Sequence, residues 1–259
     1  MQMKKSDDFY VAAYEMGAEQ TPVATWASHS RNPLRLDDSY SETPHRRQVS
    51  EVPASFQIEK LFSPDECQRM ITLSEHLGYT KDAAVSLPHK IRHNESVVWV
   101  IDEHTHDIIW QRCSALIQGA PHLFEKKRPV AINKRFRFYR YSEGDYFRPH
   151  TDGAWPGSAI IDEKLITNAY PDRYSQMTFL IFLNEEFEGG ETAFYVDKNN
   201  PQRPAKKTED VKMTALRTPR GGVLCFPHGD HPQHCLHGSR EVRSGIKYII
   251  RTDLLFSRN

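Results

Sequence analysis

The sequence predicts a mainly β core with flanking helices, and three observations carry that expectation. From Asn133 onward, runs rich in β-branched and aromatic residues recur at 134–141, 177–183, 191–195, 222–226 and 246–256, with Gly or Pro in most of the gaps. Helical spacing of apolar residues shows itself only upstream of them. The 259 residues contain no internal repeat and suffice for one sizeable core. Many short strands behind a helical segment read as a sandwich, barrel or jelly roll.

The elements follow in order. Residues 1–50 mix Ser, Asp, Arg and Pro with few periodic apolars, so they are expected to form an extended or partly disordered arm. Residues 51–259 are then one domain, with helical support over 51–132 and the β core over 133–256. Ser63-Pro64-Asp65-Glu66 combines a cap serine, a proline at the first helical position and a glutamate three residues on, which predicts a helix running to about Gly78. Ile108, Ile109, Cys113, Leu116 and Ile117 predict a second helix near Thr105 to Ile117. Two segments interrupt the strands. Gly153 to Ser175 reads as a long loop with Trp155 and Tyr170, and the polar stretch 198–212 reads as a mobile connection.

Composition narrows the function. Lys plus Arg and Asp plus Glu both number 34, so no global charge points to nucleic acid or an anionic membrane. No apolar run nears the roughly 18 residues of a span, and no apolar stretch follows Lys4 and Lys5 as in a leader. Four cysteines without a C-x-x-C pair suit reduced thiols in a cytoplasmic protein.

The first chemical pattern is His150-Thr151-Asp152. On an extended strand residues i and i+2 share a face, so this imidazole and carboxylate could grip one ion from one side. Alone the pattern is weak, because thirteen histidines make a chance H-x-D in a surface turn common. The strand-like Tyr141 to Phe147 before it, with Gly144 as a turn, would set the pair at the rim of a barrel. A third ligand should come from an opposing strand, and the stretch 228–237 offers His228, His231, His234 and His237. Two histidines and a carboxylate leave coordination positions open, which suits Fe(II) oxygen chemistry better than a closed zinc site.

Across about residues 134–256 the chain resembles the Fe(II)/2-oxoglutarate-dependent dioxygenase superfamily, and within it the prolyl 4-hydroxylase-like catalytic domain. The resemblance rests on Tyr141-x-x-Gly144-x-x-Phe147-x-x-His150-x-Asp152, on Thr178 in a strand leading to Glu188-Gly189-Gly190-Glu191-Thr192, and on His237-Gly238-x-x-x-Val242-x-x-Gly245-x-Lys247-Tyr248 before Arg251-Thr252-Asp253. It implies a double-stranded β-helix (jelly roll, cupin-like) core and His150, Asp152 and His237 as metal ligands. His234 is the leading substitute ligand. It also implies Lys247, ten residues after His237, as the cation for the far carboxylate of 2-oxoglutarate, with Tyr141 and Thr178 giving hydroxyls to the same end. Arg251, four residues on and on the same strand face, is the alternative cation. The cofactors implied are Fe(II), 2-oxoglutarate and O2, with ascorbate as reductant. Asp152 favours hydroxylation, since related halogenating enzymes carry a small residue there.

The expected function is hydroxylation of a C–H bond on a peptidyl residue, such as proline, or on a small molecule. Arg137 and Tyr139 share strand parity with Tyr141 and, with Trp155, are candidates to line the substrate cavity. Two other readings stay open: a cupin-like metal protein without 2-oxoglutarate, which would have no use for Lys247, and a non-catalytic binding module.

Overall fold

The structure is a computed structural model. It describes residues 8–258 apart from 38, 39, 41, 85, 120–126, 202, 206 and 207. Helix α1, Pro64–Leu77, and helix α2, Glu103–Gln118, lie where spacing and caps predicted them. Ser63 caps α1 through the predicted reciprocal pair: Ser63 Oγ accepts from the Glu66 amide at 3.1 Å, and the Glu66 carboxylate accepts from the Ser63 amide at 2.9 Å. Glu66 also takes an Arg112 guanidinium at 2.8 Å, which ties α1 to α2.

Two sheets face one another. In the larger, the strands run in spatial order Phe9–Met16, Pro22–Ser28, Glu95–Val100, Arg135–Tyr141, Lys247–Ser257, Lys164–Phe182, Val223–Pro227, Ser55–Glu59 and His45–Val49. The smaller has the order Val211–Leu216, Thr192–Asp197, His237–Ser239, Tyr146–His150 and Arg92–His93. This is the double-stranded β-helix.

The central strands of the larger sheet are covered on both sides. Phe136, Phe138, Phe179, Ile181, Cys225, Ile250 and Leu254 pack in one cluster with Met70 and Leu73 of α1 and Ile109 and Cys113 of α2. The alternate residues Tyr139, Tyr141, Leu180, Phe182, Leu224, Phe226 and Ile249 meet Phe194, Val196 and Val242 from the smaller sheet's side. Period-two alternation therefore sends one set to the helices and the other to the interior of the barrel. Burial on both faces explains why these strands read as nearly unbroken apolar runs.

Two expectations are corrected. The N-terminal segment is not a free arm: among its described residues, Phe9–Met16 and Pro22–Ser28 form an antiparallel hairpin, and Pro22–Ser28 pairs in parallel with Glu95–Val100. Val23, Thr25 and Ala27 alternate into the interior, a period-two signal too short and too polar to stand out among the flanking charges. Residues 1–7 of the expected arm lie outside the described set. The predicted loop after Asp152 is largely a second hairpin, Pro156–Ile161 against the 19-residue strand Lys164–Phe182. The stretch 198–212 does connect two strands, Thr192–Asp197 and Val211–Leu216, with a short 3-10 turn at Thr208–Asp210 before the second.

The hairpin is fastened to the barrel by charge. Arg135, nearly buried, donates from one guanidinium nitrogen to Glu15 Oε1 at 3.1 Å, and Thr25 donates to the same carboxylate. Removing Glu15 strands a buried guanidinium, so Glu15→Ala should cost about 2–3 kcal/mol of unfolding free energy, read from the urea midpoint. A change below about 0.5 kcal/mol would mean that the hairpin adds little to the folded unit.

Candidate metal and cosubstrate site

The candidate metal ligands come from three backbone positions that the smaller sheet draws together. His150 ends one strand, His237 begins its neighbour, and the two stand opposite one another in the ladder with ring centroids 4.4 Å apart. Asp152 follows two residues after His150. Its carboxylate oxygens lie 3.7 Å from His150 Nε2 and 3.6 Å from His237 Nε2, and the candidate donor atoms of the three residues all lie within 4.8 Å of one another. Each histidine donates its Nδ1 proton to a backbone carbonyl, His150 to Arg148 at 2.8 Å and His237 to Cys235 at 3.1 Å. That fixes the tautomer and turns both Nε2 lone pairs toward the carboxylate.

Electrostatics prepares the same set. Burial pushes the His237 imidazole down to about 3, and burial also lowers His150. Burial alone would raise the Asp152 carboxyl, but Arg251, His237 and His150 hold it well below the usual carboxylate range. At neutral pH the cluster is two neutral imidazoles and one carboxylate, the protonation state a divalent metal needs.

Lys247 stands apart from this cluster on the inner wall. It is 1% exposed, and its Nζ donates to the Gly190 carbonyl at 2.7 Å and to Ser239 Oγ at 2.9 Å. The ammonium lies over the Tyr141 ring, 4.8 Å from its centroid, and Tyr141 faces Lys247 directly in the strand register. Among the described residues no carboxylate comes within 4 Å of Lys247. Glu191 acts on it only from beyond ion-pair distance, and lies 3.5 Å from Arg217 and 3.8 Å from Arg240. Gly190, at φ +64°, lets the chain pass under the lysine, since a Cβ there would come within 3.2 Å of Lys247 Cδ. An anion is what this ammonium lacks, and the donor set and the buried cation together fit Fe(II) and a dicarboxylic cosubstrate.

The remaining predicted residues sort themselves by contact. Arg251 is committed, with Nε 3.2 Å from Asp152 Oδ2 and a terminal nitrogen 3.0 Å from Asp253 Oδ1, which removes it as the alternative anchor. Thr178 departs from its expected role, because its hydroxyl donates to Asp152 Oδ2 at 2.6 Å and meets His228 Nδ1 at 2.9 Å. The physical reason is register: Thr178 stands opposite Asp253 and Phe226, whereas Lys247 stands opposite Tyr141 at the other end of the strand pair. His228 is buried and also meets Ser175 Oγ at 2.9 Å. His234 is exposed and joins no cluster with the other ligands. Arg137 is buried over Trp155, and Tyr139 lines the cavity between the metal cluster and Lys247. Sequence reading did not find Ser239 or Thr192, which line the cavity near Lys247, nor the partnership of Arg251 with Asp253. For the last, the i, i+2 spacing was a usable signal.

Fold and site together define a barrel protein with a candidate two-histidine, one-carboxylate metal cluster. Residues 136–252 match the model of the 2OG-Fe(II) oxygenase superfamily, and over this part the chain is similar to prolyl 4-hydroxylases. The chain is 26% identical over 172 residues to the transmembrane prolyl 4-hydroxylase of Homo sapiens, covering 56% of this chain and 33% of that protein. The Mus musculus protein of the same name matches equally. The chain thus spans about a third of the length of the curated relatives it matches. Among solved structures, a prolyl hydroxylase from Trichoplax adhaerens, in complex with a hypoxia inducible factor oxygen degradation domain peptide fragment, superposes with a TM-score of 0.51 over 79% of this chain and 83% of that one. At 13% identity the likeness speaks to the fold. Among the described residues no helix is long and apolar enough to cross a membrane.

Burial pushes the Lys247 amine down to about 7. Below that pH it is already the ammonium that a carboxylate requires; above it, binding must take up a proton. Burial lowers both imidazoles below their ordinary range, so above about pH 7 the group whose charge changes is Lys247. Anaerobic 2-oxoglutarate affinity should therefore be flat below about pH 7 and fall up to about tenfold per unit above it. Affinity constant from roughly pH 6 to 9 would contradict the assignment.

Proposed function

We propose that this chain is an Fe(II)- and 2-oxoglutarate-dependent dioxygenase that hydroxylates a C–H bond, with His150, Asp152 and His237 holding the metal and Lys247 receiving the far carboxylate of the cosubstrate. The observation that carries the reading is Lys247, a fully buried ammonium without a carboxylate partner among the described residues, facing the cavity it shares with the three donors. A cupin-like metal protein without 2-oxoglutarate would have no use for that charge.

The reaction balances as R–H, O2 and 2-oxoglutarate giving R–OH, succinate and CO2. Bound iron supplies the activation of O2, and the chain supplies everything around it. Arg251 and Thr178 both bind Asp152 Oδ2, which fixes the carboxylate plane. Tyr141 and Ser239 flank Lys247 at the far end of the cavity, and Leu180, Phe226 and Ile249 form apolar wall between the two ends, excluding water from the reacting centre. Tyr139 lines the cavity, and Arg137 is stacked on Trp155, opposite Arg251 in the strand register.

The substrate is a peptidyl residue or a small molecule. The names of the curated relatives make peptidyl proline the first residue to try. Ascorbate is the proposed reductant. A reducing compartment such as the cytoplasm is supported by four buried cysteines that form no disulfide.

The test combines metal content with turnover. His150→Ala, Asp152→Ala and His237→Ala should each lose iron on folded protein and lower CO2 release from labelled 2-oxoglutarate at least about tenfold. His234→Ala should retain both. Full iron in His237→Ala with loss in His234→Ala would overturn the ligand assignment.

A further inference from the structure

Resting on the hydroxylase reading, we propose that Arg137 receives a carboxylate of the substrate beside the metal cluster, so that the compound hydroxylated is an acid, either a free amino acid or an acidic residue of a peptide.

Arg137 is 4% exposed, and among the described residues it has no hydrogen-bond acceptor and no carboxylate within 4 Å. Its one close partner is the Trp155 ring, 4.9 Å from the guanidinium carbon. Arg137 stands opposite Arg251 in the strand register, and Arg251 touches Asp152, so the unpaired guanidinium is one side chain removed from the candidate metal cluster and four strand positions from the residue facing Lys247. A second orphan sits with it: Trp155 Nε1 is buried and also lacks an acceptor. Two buried donors stacked together without an acceptor are uncommon, because each forfeits its hydration. A cation–π contact repays a cation's desolvation only in part. Burial accordingly pushes the guanidinium down to about 10, with Arg251 and Arg135 adding to the fall.

Charge balance indicates a carboxylate. Around the cavity, with the buried Arg135 already paired to Glu15, three buried cations, Arg137, Arg251 and Lys247, stand against two buried carboxylates, Asp152 and Asp253. A divalent iron and a dianionic cosubstrate cancel one another, so one positive charge remains. Arg251 already bridges both aspartates and Lys247 serves the cosubstrate, which leaves Arg137. A monoanion closes the balance, whereas a phosphate dianion would reverse it. The planar guanidinium, with Trp155 Nε1 beside it, matches the two oxygens of a carboxylate.

The experiment titrates the anaerobic Fe(II)·2-oxoglutarate protein with the twenty free amino acids, their C-terminal amides, and short peptides with internal Asp or Glu and their Asn or Gln counterparts. The readouts are perturbation of the metal-to-ligand charge-transfer band and stimulated succinate release. At least one free acid or acidic peptide should perturb the band, and its amide counterpart should bind more than tenfold more weakly. Response to free acids alone assigns the carboxylate to a small molecule, and response to acidic peptides alone assigns it to a side chain. Arg137→Met should erase the preference while keeping the band and the 2-oxoglutarate affinity of the native protein. The proposal is overturned if no acid perturbs the band, if amides match acids, if Arg137→Met keeps the preference, or if that variant loses the band, which would mean that Arg137 acts through the metal site. A band absent from the native protein would instead sink the hydroxylase reading itself, so the two failures are distinguishable.

Discussion

The interior of this barrel is organised around the cost of burying positive charge. An isolated ammonium in a dry interior loses several kcal/mol of hydration unless an anion or a set of acceptors replaces the water. Lys247 has two acceptors, the Gly190 carbonyl and Ser239, and two aromatic rings, Tyr141 and Phe182, but among the described residues no counter-charge within ion-pair distance. A protein that needed only stability would place an apolar residue there. Retaining the lysine makes sense where a dicarboxylate completes the site, and the Tyr141 pairing, the Gly190 backbone and the closing strand His237–Ser239 are arranged around that lysine.

At the metal end the same economy of charge works in reverse. Asp152 is held anionic by Arg251 and steadied by the Thr178 hydroxyl, which in turn meets His228; His228 lies 3.7 Å from Asp253, and Asp253 returns to Arg251. This ring of contacts fixes the carboxylate between two neutral imidazoles whose tautomers are set by backbone carbonyls. Removing any member leaves another buried polar group unpaired, so its loss should be felt at Asp152 even without direct contact with the metal.

Much of this was legible in the sequence, and what was not has physical causes. The two helices were readable because Ser63, Pro64 and Glu66 form a local cap and the apolar stripe near Ile109 is long. The i, i+2 pairing of His150 with Asp152 and the ten-residue interval from His237 to Lys247 carried the site. Thr178 was given to the cosubstrate end by the resemblance alone; its register opposite Asp253 and Phe226, with its hydroxyl on Asp152, sets it at the other end of the cavity. The N-terminal hairpin was missed because its three inward residues, Val23, Thr25 and Ala27, are small and its anchor, Arg135 with Glu15, joins positions far apart in sequence. His234 stood ahead of His228 as a substitute for His237 in the sequence; only the fold shows His228 buried against Thr178 and His234 exposed.

The central claim is that Lys247 is kept for the cosubstrate and not for the fold. The most direct test is an anaerobic 2-oxoglutarate titration of native protein and Lys247→Met with Fe(II), followed by the charge-transfer band, alongside thermal unfolding without ligand. The account predicts that Lys247→Met binds iron and melts at or above the native temperature, because a buried unpaired charge has gone, while its 2-oxoglutarate affinity falls well over tenfold, in line with about 2–5 kcal/mol for a lost partner of a buried charge pair. Native 2-oxoglutarate affinity in the variant, with a marked loss of stability, would contradict it.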